Sequence, residues 1–176
     1  MTANAHAPTQ NRATAVIGSP NPRGVDIVLR IATEDDVAFL TDVVVAATRA
    51  QRRLPADFDE MEFRAGFADW TREQVRGDLP GSSTCVVEID GVPVGQLRVV
   101  RTEELVELAG VQLLPAHQSS GIGARIVGAF AAGAGGQGVP LELGAERDNP
   151  RAREFYERCG LRHVGDHGDE HRMRLV

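Results

Sequence analysis

VQLLPAHQSSGIGARIV, residues 111–127, decides how this chain is read. An apolar alternation runs to Leu114, Pro115 stops it, and a glycine-containing turn opens a helix rich in Gly, Ala and Ile that runs from Gly121 to about Ala132. A strand-to-helix turn of this kind exposes a row of backbone N–H groups at the positive end of the helix dipole. An anion such as a pyrophosphate binds there without any basic side chain. Gly121 and Gly123 let the backbone come close to such a ligand. A G-x-G alone is also what a purely structural turn contains, and the neighbouring residues narrow the choice. A nicotinamide-binding fingerprint has a third glycine where this chain has Ile126, and a Walker loop has Gly-Lys-Ser/Thr, whereas all 19 basic residues here are Arg. Besides a structural turn, what survives is a site for a phosphate-bearing ligand of another kind.

On the N-terminal side, LVELAGVQLL (residues 105–114) is the third of three strand-like runs. The first two lie in CVVEIDGVPVGQLRVVR (residues 85–101), joined at Asp90-Gly91 as in a hairpin, so the three predict an antiparallel meander. Before them, Phe58, Met61, Phe67 and Trp70 recur among charged residues up to about Arg76, ahead of the turn residues Gly77, Pro80 and Gly81, which predicts a helix. Thr33 stands before Glu34, Asp35 and Asp36, and Val37, Leu40, Val44 and Ala47 follow at helical spacing, so an earlier helix is expected with its cap at Thr33. Ile27, Leu29 and Ile31 alternate with Val28 and Arg30 as in a strand.

On the C-terminal side, VPLELGAE (residues 139–146) returns to strand. NPRAREFYERCG (residues 149–160) reads as a helix with Asn149 as cap, Pro150 as first helical residue and Gly160 as stop. LRHVGD and HRMRLV pair as a last hairpin. The order predicts an α/β (α+β) fold, a mixed, mostly antiparallel twisted sheet of about six or seven strands flanked by about four helices.

The chain of 176 residues fits one domain able to bury its own core. Residues 1–24, with Pro8, Pro20 and Pro22 and no sustained periodicity, are expected to be a disordered tail that folding does not need, and residues 25–176 the domain. A net charge of -6 argues against a general nucleic-acid partner, and no apolar run is long enough to cross a bilayer. The N-terminus lacks the basic start and apolar stretch of a secretory signal, which favours a cytoplasmic location and free thiols at Cys85 and Cys159.

Taken together, QSSGIG (Gln118–Gly123) and the preceding Leu113-Leu114-Pro115 resemble the Q/R-x-x-G-x-G/A pyrophosphate loop of the GCN5-related N-acetyltransferases. A second stretch is similar to the same family: Asn149, Ala152, Phe155, Tyr156, Gly160 and Leu161 fit N-x-x-A-x-x-F-Y-x-x-x-G-F/L. Two motifs in the right order are far more specific than either one. The resemblance implies that the strand ending at Leu114 splays from VPLELGAE and that the pantetheine arm of acetyl-CoA lies between them. It implies that the backbone around Leu113 and Leu114 meets that arm, and that Gln118, Ser119, Ser120, Gly121, Ile122 and Gly123 hold the pyrophosphate. Asn149 would contact the pantetheine and Tyr156 would be the general acid. An uncharged amine attacks the thioester, an N–H near Leu113 stabilises the oxyanion, and the thiolate leaves. A phenol, with a pKa of about 10 against about 8.5 for a thiol, suits the proton donor, and Tyr156 is the only tyrosine. Phe155 beside it is read as the core aromatic.

For the general base, the resemblance points to Glu107, at a position where many family members carry an acid, although an exposed strand carboxylate reads the same way. Glu142 and Glu146 are weaker alternatives. Glu103, Glu104 and Glu107 together suit a cationic amine such as a polyamine or an aminoglycoside. His163 and His167 form an H-x-x-x-H pair without Cys partners, and no metal is expected. Cys159 reads as a small buried thiol rather than a nucleophile. The expected acceptor is a small-molecule or peptide amine. The other readings are an acyl-CoA-binding sensor without turnover and a transferase of another acyl group. A homodimer fits the family resemblance.

Overall fold

The computed structural model describes residues 14–19, 24–77 and 80–175. Strands β1 (Thr14–Ile17) and β2 (Ile27–Ile31) lead into helices α1 (Val37–Ala50) and α2 (Glu60–Arg76). The meander β3 (Ser82–Ile89), β4 (Val92–Arg101) and β5 (Val106–Leu113) follows, then α3 (Ile122–Gln137), β6 (Leu141–Glu146), α4 (Pro150–Arg158), β7 (Leu161–His167) and β8 (Glu170–Leu175). The described strands form one sheet in the order β1-β2-β3-β4-β5-β6-β8-β7, antiparallel throughout except for the parallel β5–β6 pair. This is the mixed α/β architecture that the sequence predicts, with one strand more. The extra strand is β1, which lies in the stretch read as a tail. It pairs with the edge of β2, Ile17 packs on the core, and Arg125 of α3 donates to the carbonyls of Ile17 and Val25 at 2.9 and 2.7 Å. Residues 1–13 and 20–23 of that expected tail lie outside the described residues.

Alternation along the strands builds a core on each face of the sheet. Cys85 and Val87 of β3 join Leu97 and Val99 of β4 and Ile126 and Val127 of α3 in the larger cluster, with Phe155 and Tyr156 of α4 packed against it. Val86, between them, turns to the opposite face and meets Leu40 of α1 and Val75 of α2. So α3 and α4 cover one face and α1 and α2 the other. The aromatic face of α2 differs from the expected one. Met61 is 80% exposed, while Phe63 and Phe67 stack at 5.7 Å and Phe67 meets Trp70 at 5.5 Å. Asp59 caps α2, and counting from there Met61 falls on the opposite side from the 63-67-70 row.

Thr33 caps a short 3-10 turn, Glu34–Asp36, that feeds into α1. Asp36 accepts from the Thr33 N–H at 2.8 Å and from both terminal nitrogens of Arg30 at 2.8 and 2.9 Å. The Arg30 fork, helped by the Thr33 donors and opposed by burial, holds the Asp36 carboxyl at about 2. A carboxyl depressed below its unfolded value near 3.9 contributes stability that is present above that value and lost as pH falls toward 2, here about 2 kcal/mol. Asp36→Asn is therefore expected to lower the denaturation midpoint at pH 7, and the gap from the unmodified chain should close between pH 4 and pH 2. Equal gaps at both pH values would show that the carboxylate charge is not what stabilises this corner.

Candidate active site

β5 and β6 pair only from Val106↔Leu141 to Leu108↔Leu143; beyond that they diverge, and β6 continues against β8. β5 continues against β4, with Ala109 as an extra residue where the register shifts between Arg98↔Gly110 and Val99↔Leu108. This bulge flips the alternation. Val106 and Leu108 face α3 before it, and Val111 and Leu113 face the same side after it. The Leu114 N–H reaches the Val94 carbonyl at 2.9 Å, so the backbone of Leu113, and two residues earlier that of Val111, turns the other way, into the splay. The Leu113 carbonyl there accepts from Gln118 Nε2 at 3.0 Å. Leu114 itself does not open onto the splay, because its amide is already taken by β4.

The loop after β5 turns through Ser119 (φ 58) and Gly121 (φ 84) into α3. Gly121 caps the helix with no side chain, and the first helical hydrogen bond runs from the Arg125 N–H to the Gly121 carbonyl at 3.1 Å. The N–H groups of Ile122, Gly123 and Ala124 therefore have no partner inside the helix, and no acidic side chain sits in its first turn. Ile122 contributes only its backbone, since its side chain is buried in the core. Ser120 turns its hydroxyl back onto the His117 carbonyl. A Cβ on Gly123 would lie 3.2 Å from Phe155 Cζ, so the small residue lets α4 close against α3.

Between these elements lies a cavity of about 470 Å³ lined by Val111, Leu113, Gln118, Ser119, Gly121 and Gly123 on one side and Ala152, Phe155 and Tyr156 on the other. A cleft of about 200 Å³ fills the splay itself, lined by Glu107, Val111, Gly144, Glu146, Asn149, Tyr156 and Glu170. Tyr156 lines both. Its ring packs on Phe155 at 5.2 Å and among the described residues its hydroxyl has no hydrogen-bond partner. Burial pushes the phenol up to about 12, with Glu146, Cys159 and Glu170 adding to the effect.

Residues 47–161, more than half of the chain, match the acetyltransferase (GNAT) family. The chain belongs to the GNAT family. Its fold is similar to that of the PaiA N-acetyltransferase from Thermoplasma acidophilum crystallised with coenzyme A (15% identity, 84% of this chain and 97% of that one, TM-score 0.67). It is also similar to AAC(6')-Ib in complex with paromomycin and acetyl-CoA (16% identity, 85% and 93%, TM-score 0.64). A third likeness is to a spermidine N-acetyltransferase chimera of Vibrio cholerae SpeG and hSSAT (16% identity, 85% and 95%, TM-score 0.62). No curated protein matches the sequence.

In this GNAT chain Asn149 is occupied as a cap. Its Oδ1 accepts from the Ala152 N–H at 3.1 Å and its Nδ2 donates to Gln51 Oε1 at 3.3 Å, while the residue forms part of the cleft wall. Glu107 also lines the cleft but is held by Arg172 at 2.7 Å, and Arg172 reaches across to Glu142 at 3.0 Å. Glu146 is held by Arg53 at 2.6 Å. Glu103 and Glu104, in the β4–β5 connection, line neither cavity. Three residues that the sequence reading missed are brought in. Arg151 and Arg158 of α4 line the larger cavity beside the loop, two guanidinium groups near the uncapped helix end. Their seven-residue spacing, two helical turns, is the signal that could have found them. Glu170, at the start of β8, lies over Gly144 in the cleft with no arginine on it among the described residues, and no local pattern marks it.

Cys85 is buried and its thiol is pushed up to about 11, and burial raises Cys159 as well, so neither is a ready thiolate. The β7–β8 hairpin gathers His163, Asp166 and His171, with both rings 2.8 Å from Asp166 Oδ1, whereas His167 takes no part. Arg147 also pairs with Asp166, at 3.2 Å, which sets a cation beside that group. Among the described residues no helix is long and apolar enough to cross a membrane.

Proposed function

We propose that this GNAT chain is an N-acetyltransferase that moves an acetyl group from acetyl-CoA to a primary amine by direct attack in a ternary complex. The observation that carries the reading is the continuity of three features: outward-turned amides at Val111 and Leu113, an uncapped α3 N-terminus, and the unpartnered Tyr156 hydroxyl between the two cavities. The amides suit the pantetheine arm and the developing oxyanion. Gln118 to Gly123, with Arg151 and Arg158, suit the pyrophosphate. Asn149 fixes the start of α4 and so the position of Tyr156. The amine nitrogen bonds to the thioester carbon, the C–S bond breaks, and the departing thiolate is held by a hydrogen bond from the Tyr156 hydroxyl. The uncharged amine attacks, and the nitrogen, cationic once bonded to the carbon, loses its proton to solvent in the cleft, where Glu170 is a freer acceptor than Glu107, because Arg172 already holds Glu107. The solved GNAT structures with coenzyme A, and the aminoglycoside and spermidine enzymes among them, support both the donor and an amine acceptor.

Calorimetric titration of acetyl-CoA tests the donor site. Gly121 sits at φ 84 with open space where a Cβ would be. A β-branched residue there strains the turn rather than clashing, so Gly121→Val is expected to weaken acetyl-CoA at least about tenfold, the equivalent of about 1.4 kcal/mol. No binding to the unmodified chain would overturn the proposal. Binding without thiol release from any amine would leave a sensor, and faster release from a longer acyl-CoA would change the donor.

A further inference from the structure

On the opposite face of β5 from the larger cavity, α1, α2 and strands β3 to β5 enclose a small cavity of about 110 Å³ that no motif marks. Gln96 and Gln112 in its wall are hydrogen-bonded to each other at 2.8 Å, but three other polar groups there have no partner among the described residues. The hydroxyls of Thr71 on α2 and Thr84 on β3 belong to residues only 2% and 7% exposed, and neither has a hydrogen-bond partner; nor does the buried Nε of Arg98 on β4. A buried polar group without a partner is costly, about 1–3 kcal/mol each, so three around one cavity mark a place built to be filled. Arg30, Arg53, Arg64 and Arg172 each hold two carboxylates, whereas Arg98 holds none among the described residues and lies under the Trp70 ring, its Cζ 5.3 Å from the ring centroid.

We propose that this cavity anchors the acceptor and that the anchor is a carboxylate: the amine acetylated by this chain carries a carboxylate held by Arg98 and the Thr71 and Thr84 hydroxyls. One guanidinium matches one negative charge, and its planar fork fits the two oxygens of a carboxylate while the hydroxyls complete their coordination. A second ammonium, as in a polyamine, would face the guanidinium instead. Ala109, Gly110 and Gln112 wall both this cavity and the splay cleft, so a molecule held at Arg98 has its far end at the β5 bulge, beside the amides that turn into the cleft. The assignment rests on the acetyl-transfer reading and deepens it.

Trp70 is the only tryptophan, so its emission reports occupancy directly. The titration uses glycine, β-alanine and 4-aminobutyrate, their amides, and 1,4-diaminobutane, with the full chain saturated in coenzyme A. At least one of the three acids is expected to give a saturable change, with the matching amide and the diamine at least about tenfold weaker. Arg98→Gln is expected to raise the half-saturating concentration at least about tenfold, with acetyl-CoA affinity by calorimetry held within about twofold. Should Arg98→Gln prove too unstable to titrate, Thr84→Val removes one hydroxyl at nearly constant shape and is expected to weaken the acid about threefold or more. An amide or diamine that saturates as tightly as the acid, no response to any acid, or an unchanged midpoint in the variant would overturn the anchor. Failure of acetyl-CoA to bind would overturn the transferase reading while leaving the Trp70 response to stand or fall by itself.

Discussion

Tyr156→Phe is expected to lower kcat for acetyl transfer by about 10² to 10⁴ while leaving acetyl-CoA affinity within about twofold. The substitution removes one oxygen that has no partner among the described residues, and it keeps the ring that packs on Phe155, so little stability should be lost. The loss should therefore appear in kcat and not in calorimetric affinity. Because burial pushes the phenol up to about 12, its neutral, proton-bearing form persists to higher pH than that of a free tyrosine. A rate that rises with pH as the amine deprotonates should thus show no falling limb from Tyr156 between pH 8 and pH 10. Such a pKa also means that full transfer to a thiolate near 8.5 runs uphill in the empty site, so the phenol acts by holding a hydrogen bond that tightens as the sulfur leaves. An unchanged kcat in Tyr156→Phe would remove the tyrosine from the mechanism.

The second large effect is expected on stability. Glu107 and Glu142 face each other across the β5–β6 pair, where two like charges would repel, and Arg172 bridges them while Arg174 donates to Glu142 at 2.7 Å. Glu142 is only 5% exposed; burial pushes its carboxyl up, and the hydrogen bonds from Arg174 and Arg172 outweigh that and leave it below its ordinary value. Removing Arg172 leaves Glu107 without a partner and Glu142 with Arg174 alone, so Arg172→Ala is expected to cost about 3 kcal/mol at pH 7. A depressed carboxyl contributes stability above its unfolded pKa, near 4.3, and loses it as pH falls further. The difference between variant and unmodified chain should therefore shrink below about pH 4. Chemical denaturation at the two pH values measures this, and a loss well under 1 kcal/mol at pH 7 would show that the bridge is dispensable. The same contact ties Glu107 to Glu142, next to the last pair, Leu108↔Leu143, before β5 and β6 part, so the variant should also bind acetyl-CoA less tightly.

Most of the element order was readable because it rests on local chemistry. Asp90-Gly91 makes its turn with φ of 51 and 75, Asn149 caps α4, and Gly160 ends that helix at φ 93, each where the residue type demands. The loop from Gln118 to Gly123 was readable for the same reason: the anion site proposed there is made of backbone, and glycines announce where backbone is bared. β1 was not, because four residues among prolines carry too little periodicity to declare a strand, and what holds Thr14–Ile17 is the waiting edge of β2 and a guanidinium from α3. Met61 was misplaced on the core face of α2 because its type is apolar while its helical angle is not.

Sequence alone determined the family, the parts of the proposed donor site and the one phenol proposed as its acid, since these depend on residue type at short spacing. Tertiary structure alone decided which carboxylates are free. Glu107 lost that standing to Arg172, 65 residues away along the chain, and Glu170 forms no ion pair among the described residues. It also decided that Thr71, Thr84 and Arg98, from a helix and two strands, meet as three unpartnered polar groups around one cavity. The physical reason is that pairing and burial are properties of the folded neighbourhood: a side chain's type sets what it can donate, accept or ionise, and only its packed surroundings set whether that capacity is already spent.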